Sequence, residues 1–174
     1  MANLNSGPQK ILRISGILKE SIVDGPGLRY VIFTQGCPHH CEGCHNPKTH
    51  SFEAGEEVSV DTILEEIEKN PLLKGVTFSG GEPFCQPEAL YEIATRLKKK
   101  DIVCYSGYTF EQLLALSKEN QWVGKLLGEC NILIDGKFDL EKRSLGLKFR
   151  GSTNQRLIDV QESLKLGVSV SKEY

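Results

Sequence analysis

Cys37-Pro-His-His-Cys41-Glu-Gly-Cys44 is the stretch of this chain best suited to chemistry. Its three cysteines are separated by three residues and then by two. So short a segment wraps its thiolates round one metal centre. Cysteine thiolate is the usual ligand of an iron–sulfur cube. Three thiolates hold three of its irons and leave the fourth without a protein ligand. An open position on a held metal is where chemistry takes place. Cys85, Cys104 and Cys130 are the other cysteines and keep a fourth protein ligand in view. His39, His40, His45 and His50 crowd the same loop, so a zinc site of Cys and His is the second reading. Cys41-Glu-Gly-Cys44 alone also fits a redox dithiol.

The elements around the loop must place it. Tyr30-Val-Ile-Phe-Thr34 is β-branched and aromatic and reads as a buried strand feeding the first cysteine. Sites of α/β proteins gather where strands end, which sets the loop at the mouth of the fold. Upstream, Ile11–Ile17 alternates weakly, as a first strand does, and Asp24-Gly-Pro-Gly-Leu-Arg29 forces a turn. Residues 45–58 read as a loop. Ser59 caps a helix carrying Val60, Ile63, Leu64 and Ile67, which Pro71 ends. A strand over Gly75–Phe78 runs into Ser79-Gly-Gly-Glu-Pro83, a turn whose backbone, free of Cβ atoms, can approach a ligand.

Further on, Pro87 opens a helix over 87–100, closed by Lys98-Lys-Lys100. Asp101–Tyr105 is the next strand, and Thr109 caps a helix running towards Lys118. Trp122 and Val123 read as core. A strand over Asn131–Ile134 ends in Asp135-Gly-Lys-Phe138, which puts Asp135 and Lys137 at a strand end. Leu147–Phe149, Arg150–Arg156 and a short amphipathic segment close the chain. Cys104 reads as a small buried hydrophobe and Cys130 as a helix–strand junction. Cys85 is nearest the site and is read as an unligated thiol. Strands alternating with helices point to a mostly parallel α/β sheet.

At 174 residues the chain is expected to form one domain, 1–174, with a loose extension over 1–9. A net charge of −2 without a basic stripe argues against nucleic acid. No run approaches a membrane span, and the start lacks a secretion signal, so the expected compartment is the cytoplasm. There, clustered cysteines bind metal or catalyse rather than form disulfides.

The CxxxCxxC spacing resembles the radical S-adenosylmethionine enzymes, and Ser79–Pro83, downstream of it, is similar to their GGE motif. Asp24–Arg29 resembles the DGPG(x)R segment of glycyl-radical-enzyme activases, which makes Arg29 a partner for a carboxylate or for a protein substrate. Tyr105–Tyr108, Ile134–Phe138 and Arg150–Gln155 resemble segments of the activases of anaerobic (class III) ribonucleotide reductases. The resemblance spans roughly residues 11–158. The wider superfamily commonly has an aromatic residue before the third cysteine; here it is Gly43, as in the reductase activases, which makes His45 the neighbour of adenine.

The resemblance implies a partial, open α/β barrel and a [4Fe-4S] cluster on Cys37, Cys41 and Cys44. It implies S-adenosylmethionine beside Gly43, Cys44, His45, Gly80, Gly81 and Glu82, with Asp135 and Lys137 on its polar groups. An external one-electron donor such as flavodoxin or ferredoxin would reduce the cluster. The 5′-deoxyadenosyl radical then takes hydrogen from a glycine of the reductase's glycyl-radical subunit. The rivals are an activase of another glycyl-radical enzyme, such as pyruvate formate-lyase, and a non-catalytic zinc module over residues 37–50.

Overall fold

The computed structural model describes residues 9–174. Of the expected loose stretch 1–9, only Gln9 falls within them, and it is exposed. The strands are β1 (Ile11–Ser21), β2 (Arg29–Thr34), β3 (Glu56–Ser59), β4 (Gly75–Gly80), β5 (Asp101–Tyr105), β6 (Ile132–Asp135) and β7 (Arg156–Asp159). The helices are α1 (Val60–Glu68), α2 (Pro87–Arg96), α3 (Phe110–Leu116), α4 (Gln121–Glu129) and α5 (Val160–Leu166).

All seven strands form one sheet in the order β3-β1-β2-β4-β5-β6-β7. The middle is parallel, β2 on β4 on β5 on β6. Each parallel step needs a crossover, and helices supply it. The flanks are antiparallel, with β1 on β2, β3 on β1 and β7 on β6. The sheet is therefore mixed α/β, parallel at its centre and open at β3 and β7.

The central strands are apolar on both faces, as parallel strands covered on both sides must be. In β5 and β6, Ile102, Cys104 and Leu133 join the large cluster under the helices. Val103, Ile132 and Ile134, one residue out of step, join a smaller cluster with Leu157 on the other face, edged by Tyr105 and Phe149. The helices form on local signals. Ser59 Oγ accepts from Thr62 N at the start of α1, and Thr109 with Gln112 makes a capping box for α3.

Several boundaries differ from expectation. The helix from Pro87 stops at Arg96; Leu97 turns back, and the Lys100 ammonium donates to Leu73 O at 2.8 Å. Trp122 is half-buried, its ring tilted against Tyr91 at 5.8 Å and beneath the Lys125 ammonium at 4.2 Å, while Val123 is core. Residues 45–58 contain a single turn of 3-10 helix at Pro47–Thr49 and the start of β3. Arg29 is fully buried, and all five of its N–H groups are taken inside the protein, so it is not free for a substrate. Among the described residues, no helix is long and apolar enough to cross a membrane.

Candidate active site

The parallel ladder between β2 and β4 runs from Arg29 opposite Gly75 to Thr34 opposite Gly80. It then continues past the strands: Gly81 N donates to Thr34 O, and Glu82 N donates to Gly36 O, each at 2.8 Å. These two bonds lay the Gly80–Gly81 backbone against the entrance of the cysteine loop. Only glycine allows it. Gly80 has φ +91, and a Cβ there would sit 2.6 Å from Phe33 Cα. A Cβ on Gly81 would strike the Gly36 carbonyl oxygen. The close approach these glycines permit is first of all to their own neighbouring strand.

The loop is held at its base by its own backbone. Gly36 N donates to Thr49 O at 2.8 Å and Cys37 N to His50 O at 3.3 Å. The Gln35 amide donates to Lys48 O and Ser51 O at 3.0 and 2.6 Å. Cys37, Cys41 and Cys44 border one cavity, together with Gly80, Gly81, His45 and Lys137. Ser79, Tyr105, Phe138 and Gln155 complete much of its wall. The cavity lies at the C-terminal ends of the parallel strands, where α/β folds place ligands.

Cys37 is nearly sealed from solvent, whereas Cys41 and Cys44 are half-buried. Burial pushes the Cys37 thiol up, and Glu82 and the other two cysteines add to the rise. A bound cation reverses that preference and draws the thiolates out. Among the described residues, no three His, Cys, Asp or Glu side chains converge on a point that one ion could occupy.

The other expected site residues divide into two groups. His45 and Lys137 border the cavity, with the His45 ring 5.1 Å from that of Phe138. Glu82 and Asp135 do not border it. The Glu82 carboxylate is buried and accepts from Ser106 Oγ at 3.0 Å, Gly107 N at 2.9 Å and Phe84 N at 3.0 Å, and pairs with His39 Nε2 at 2.7 Å. The Asp135 carboxylate is likewise buried and accepts from Phe110 N at 2.7 Å and from the Arg156 guanidinium at 2.9 and 2.5 Å. Both carboxylates are committed to holding strand ends together. Gly43 lies on the outer side of the loop with φ +69, where a Cβ would meet Leu140 Cδ1 at 2.9 Å.

Residues 23–158 match the family described as a 4Fe-4S single cluster domain. The Vibrio cholerae anaerobic ribonucleoside-triphosphate reductase-activating protein is 34% identical over 144 residues, covering 77% of this chain and 89% of its own length. The protein of the same name from Pasteurella multocida is 35% identical over 145 residues, with the same coverage. That of Enterobacteria phage T4 is 34% identical over 145 residues, covering 78% of this chain and 86% of its own. The chain belongs to the family of anaerobic ribonucleoside-triphosphate reductase-activating proteins.

In this family member the strings singled out in the sequence meet in space. Gln155 Nε2 donates to Gly136 O at 3.0 Å and Asn154 Nδ2 to Lys137 O at 2.9 Å, so the Arg150–Gln155 segment clamps the Asp135–Phe138 turn. Cys104 and Cys130 are fully buried. The Cys85 thiol is pushed up to about 12, mainly by burial, with Glu82 and Cys37 adding to it. It borders a different cavity, beside Lys10 and Trp122. Ser106 and Gln155 belong to the site without having been singled out, and His39, named in the sequence only as a zinc donor, belongs to it as the partner of Glu82. For His39 the available signal was its place between two ligand-type cysteines; for Ser106 and Gln155 the signal was only membership of a quoted string.

Proposed function

We propose that the protein is a radical S-adenosylmethionine activase that generates a glycyl radical on an anaerobic ribonucleoside-triphosphate reductase. The observation that carries this reading is the shared cavity: three loop thiols and the Gly80–Gly81 backbone bound one space at the parallel strand ends. The donor set fits a cube. Each of the three thiolates can serve a separate iron, cysteine being the usual ligand of such a cube. The open sheet is read as the curtailed barrel of that superfamily, its open side left for a loop of the partner.

Cys37, Cys41 and Cys44 would hold the cluster through their thiolates. Gly80, Gly81, Cys44 and His45, which border the cavity, would lie beside the cofactor, with Lys137 supplying a cation for its carboxylate, His45 next to adenine, and Gly43 giving the loop its turn behind them. Glu82 and Asp135 act from behind the wall by fixing the turns that carry these groups. Bound there, a [4Fe-4S] cluster with S-adenosylmethionine would supply one-electron chemistry, fed by an external donor, for taking a hydrogen atom from a glycine Cα of the partner. Phe138 and Tyr105 supply aromatic surface to the cavity wall. A flavodoxin or ferredoxin is the proposed electron donor, and the cytoplasm the proposed compartment. The names of the relatives favour the reductase over pyruvate formate-lyase as target.

The test is Cys41→Ala in oxygen-free preparations. Iron, acid-labile sulfide and S-adenosylmethionine cleavage should all be lost; near-normal cleavage rejects the scheme. Pull-down against the reductase and against pyruvate formate-lyase separates the two partners.

A further inference from the structure

Among the described residues, His50 Nε2 is one of three buried side-chain polar atoms without a hydrogen-bond partner. The other two are Tyr30 Oη and Arg150 Nε, and neither residue borders the cysteine cavity. His50 does border it. Proteins seldom leave a buried ring nitrogen unpaired, and those that remain call for an explanation such as a bound group.

The backbone that carries the ring is held at both ends of the residue. The backbone on either side is bonded, His50 N to Pro47 O at 3.2 Å and Cys37 N to His50 O at 3.3 Å. His50 is thereby tied directly to the first cysteine. The His40 ring packs edge-on against it, centroids 4.9 Å apart at 79°. His40 reaches that position with φ +48, a left-handed conformation that costs energy in a residue with a Cβ. The loop therefore accepts backbone strain where it braces an imidazole with an unanswered nitrogen.

Thiolate and sulfide sulfurs are the acceptors that a cluster would bring to this cavity. A hydrogen bond to such a sulfur stabilises the more negative, reduced state and raises the reduction potential. We infer that His50 Nε2 donates a hydrogen bond to a sulfur of the [4Fe-4S] centre on Cys37, Cys41 and Cys44, and so sets the potential at which that centre accepts its electron. A donor needs only one sulfur nearby. This inference rests on the activase reading but concerns a residue that reading leaves without a role.

The experiment is a redox titration of the reconstituted, oxygen-free protein, followed by electron paramagnetic resonance. His50→Phe keeps a flat ring and removes the donor; His50→Gln keeps an N–H. With iron and sulfide content matched to the parent, His50→Phe should have a more negative potential, and His50→Gln should recover part of the difference. An unchanged potential in His50→Phe overturns the inference and leaves the activase reading standing. A parent protein that assembles no cluster overturns both.

Should His50→Phe fail to hold a cluster, pulsed resonance on the reduced parent in heavy water decides. A weakly coupled exchangeable deuteron near the cluster, lost in His50→Gln or displaced from its parent position, supports the donor. Absence of that deuteron in the parent overturns it. Strong coupling to a directly bound histidine nitrogen overturns it too, together with the open iron.

Discussion

His39 Nε2 lies 2.7 Å from Glu82 Oε2, and both side chains are almost sealed from solvent. The pair joins the cysteine loop to the turn after β4, and Glu82 extends the junction to the end of β5 through Ser106 and Gly107. Replacing Glu82 by Ala leaves those donors, and Phe84 N, without an acceptor. A buried donor left unpaired costs about 1–3 kcal/mol. With partial relaxation, Glu82→Ala should lose roughly 3–5 kcal/mol, the range for breaking a buried pair. That corresponds to a Tm lower by about 10 °C. Glu82→Gln, which keeps an acceptor, should fall between. Calorimetry checks the series, and a Glu82→Ala protein that melts with the parent denies Glu82 its place at the junction.

Gly81 and Gly128 make an internal contrast. A Cβ on Gly81 drives into the Gly36 carbonyl at the entrance of the cysteine loop, whereas one on Gly128, in α4, meets nothing within 4 Å. Gly81→Ala must part β2 from the turn after β4, so it should lower both melting temperature and bound iron. Gly128→Ala should stabilise by about 0.5–1 kcal/mol from helix propensity alone, with iron content unchanged. Melting curves paired with iron analysis check this, and equal effects in the two variants would contradict the packing described.

What could be read from the sequence was what is local. The cysteine spacing, the buried strand ahead of it and the glycine turn after Phe78 each lie within a few residues and obey short-range rules. β3 (Glu-Glu-Val-Ser) and β7 (Arg-Leu-Ile-Asp) were not legible, because four residues with charged or polar ends carry no strand pattern. They are strands only because β1 and β6 offer them free edges. The same holds at the site. Asp135 looked available because its partner Arg156 lies 21 residues on, and Glu82 because His39 lies 43 residues back. Trp122 looked like core by residue type, and only the cations beside it explain why it stays half-buried at the edge.

Arg156 also bridges to Glu111, Nη2 to Oε2 at 2.8 Å. Hydrogen bonding from Arg156 is the chief cause that holds the Glu111 carboxyl at about 2, against an ordinary 4.5. A carboxylate lowered on folding adds stability that is fully present above its unfolded value and is lost as pH falls through its folded one. The window is therefore pH 4.5 down to 2. Both side chains are more than a third exposed, so screening keeps the contribution below about 1 kcal/mol. The urea midpoints of the parent and Glu111→Gln should differ at neutral pH and draw together as pH falls through that window. Parallel curves would show that the bridge adds nothing.

Arg29 is the last and most constrained case. Its Nε donates to Thr77 Oγ1 at 2.7 Å. Nη1 donates to Pro26 O at 3.1 Å and Asp101 Oδ1 at 2.5 Å, and Nη2 donates to Val76 O at 2.8 Å and Asp101 O at 2.9 Å. Thr77 in turn donates to Asp24 O at 2.7 Å, so both ends of the Asp24–Gly27 turn hang on one guanidinium. Gly25 is glycine because a Cβ there would meet Arg29 Cδ at 2.9 Å. A lysine ammonium presents three donors from a single point and cannot span acceptors on Thr77, Pro26 and Asp101 together. Arg29→Lys should therefore orphan at least two buried acceptors and cost roughly 2–4 kcal/mol. The loss should appear first in the turn: amide exchange at Gly25, Gly27 and Leu28 should quicken while the amides of β5 stay protected. Exchange at those three positions that matches the parent would mean that the turn holds itself without the clamp.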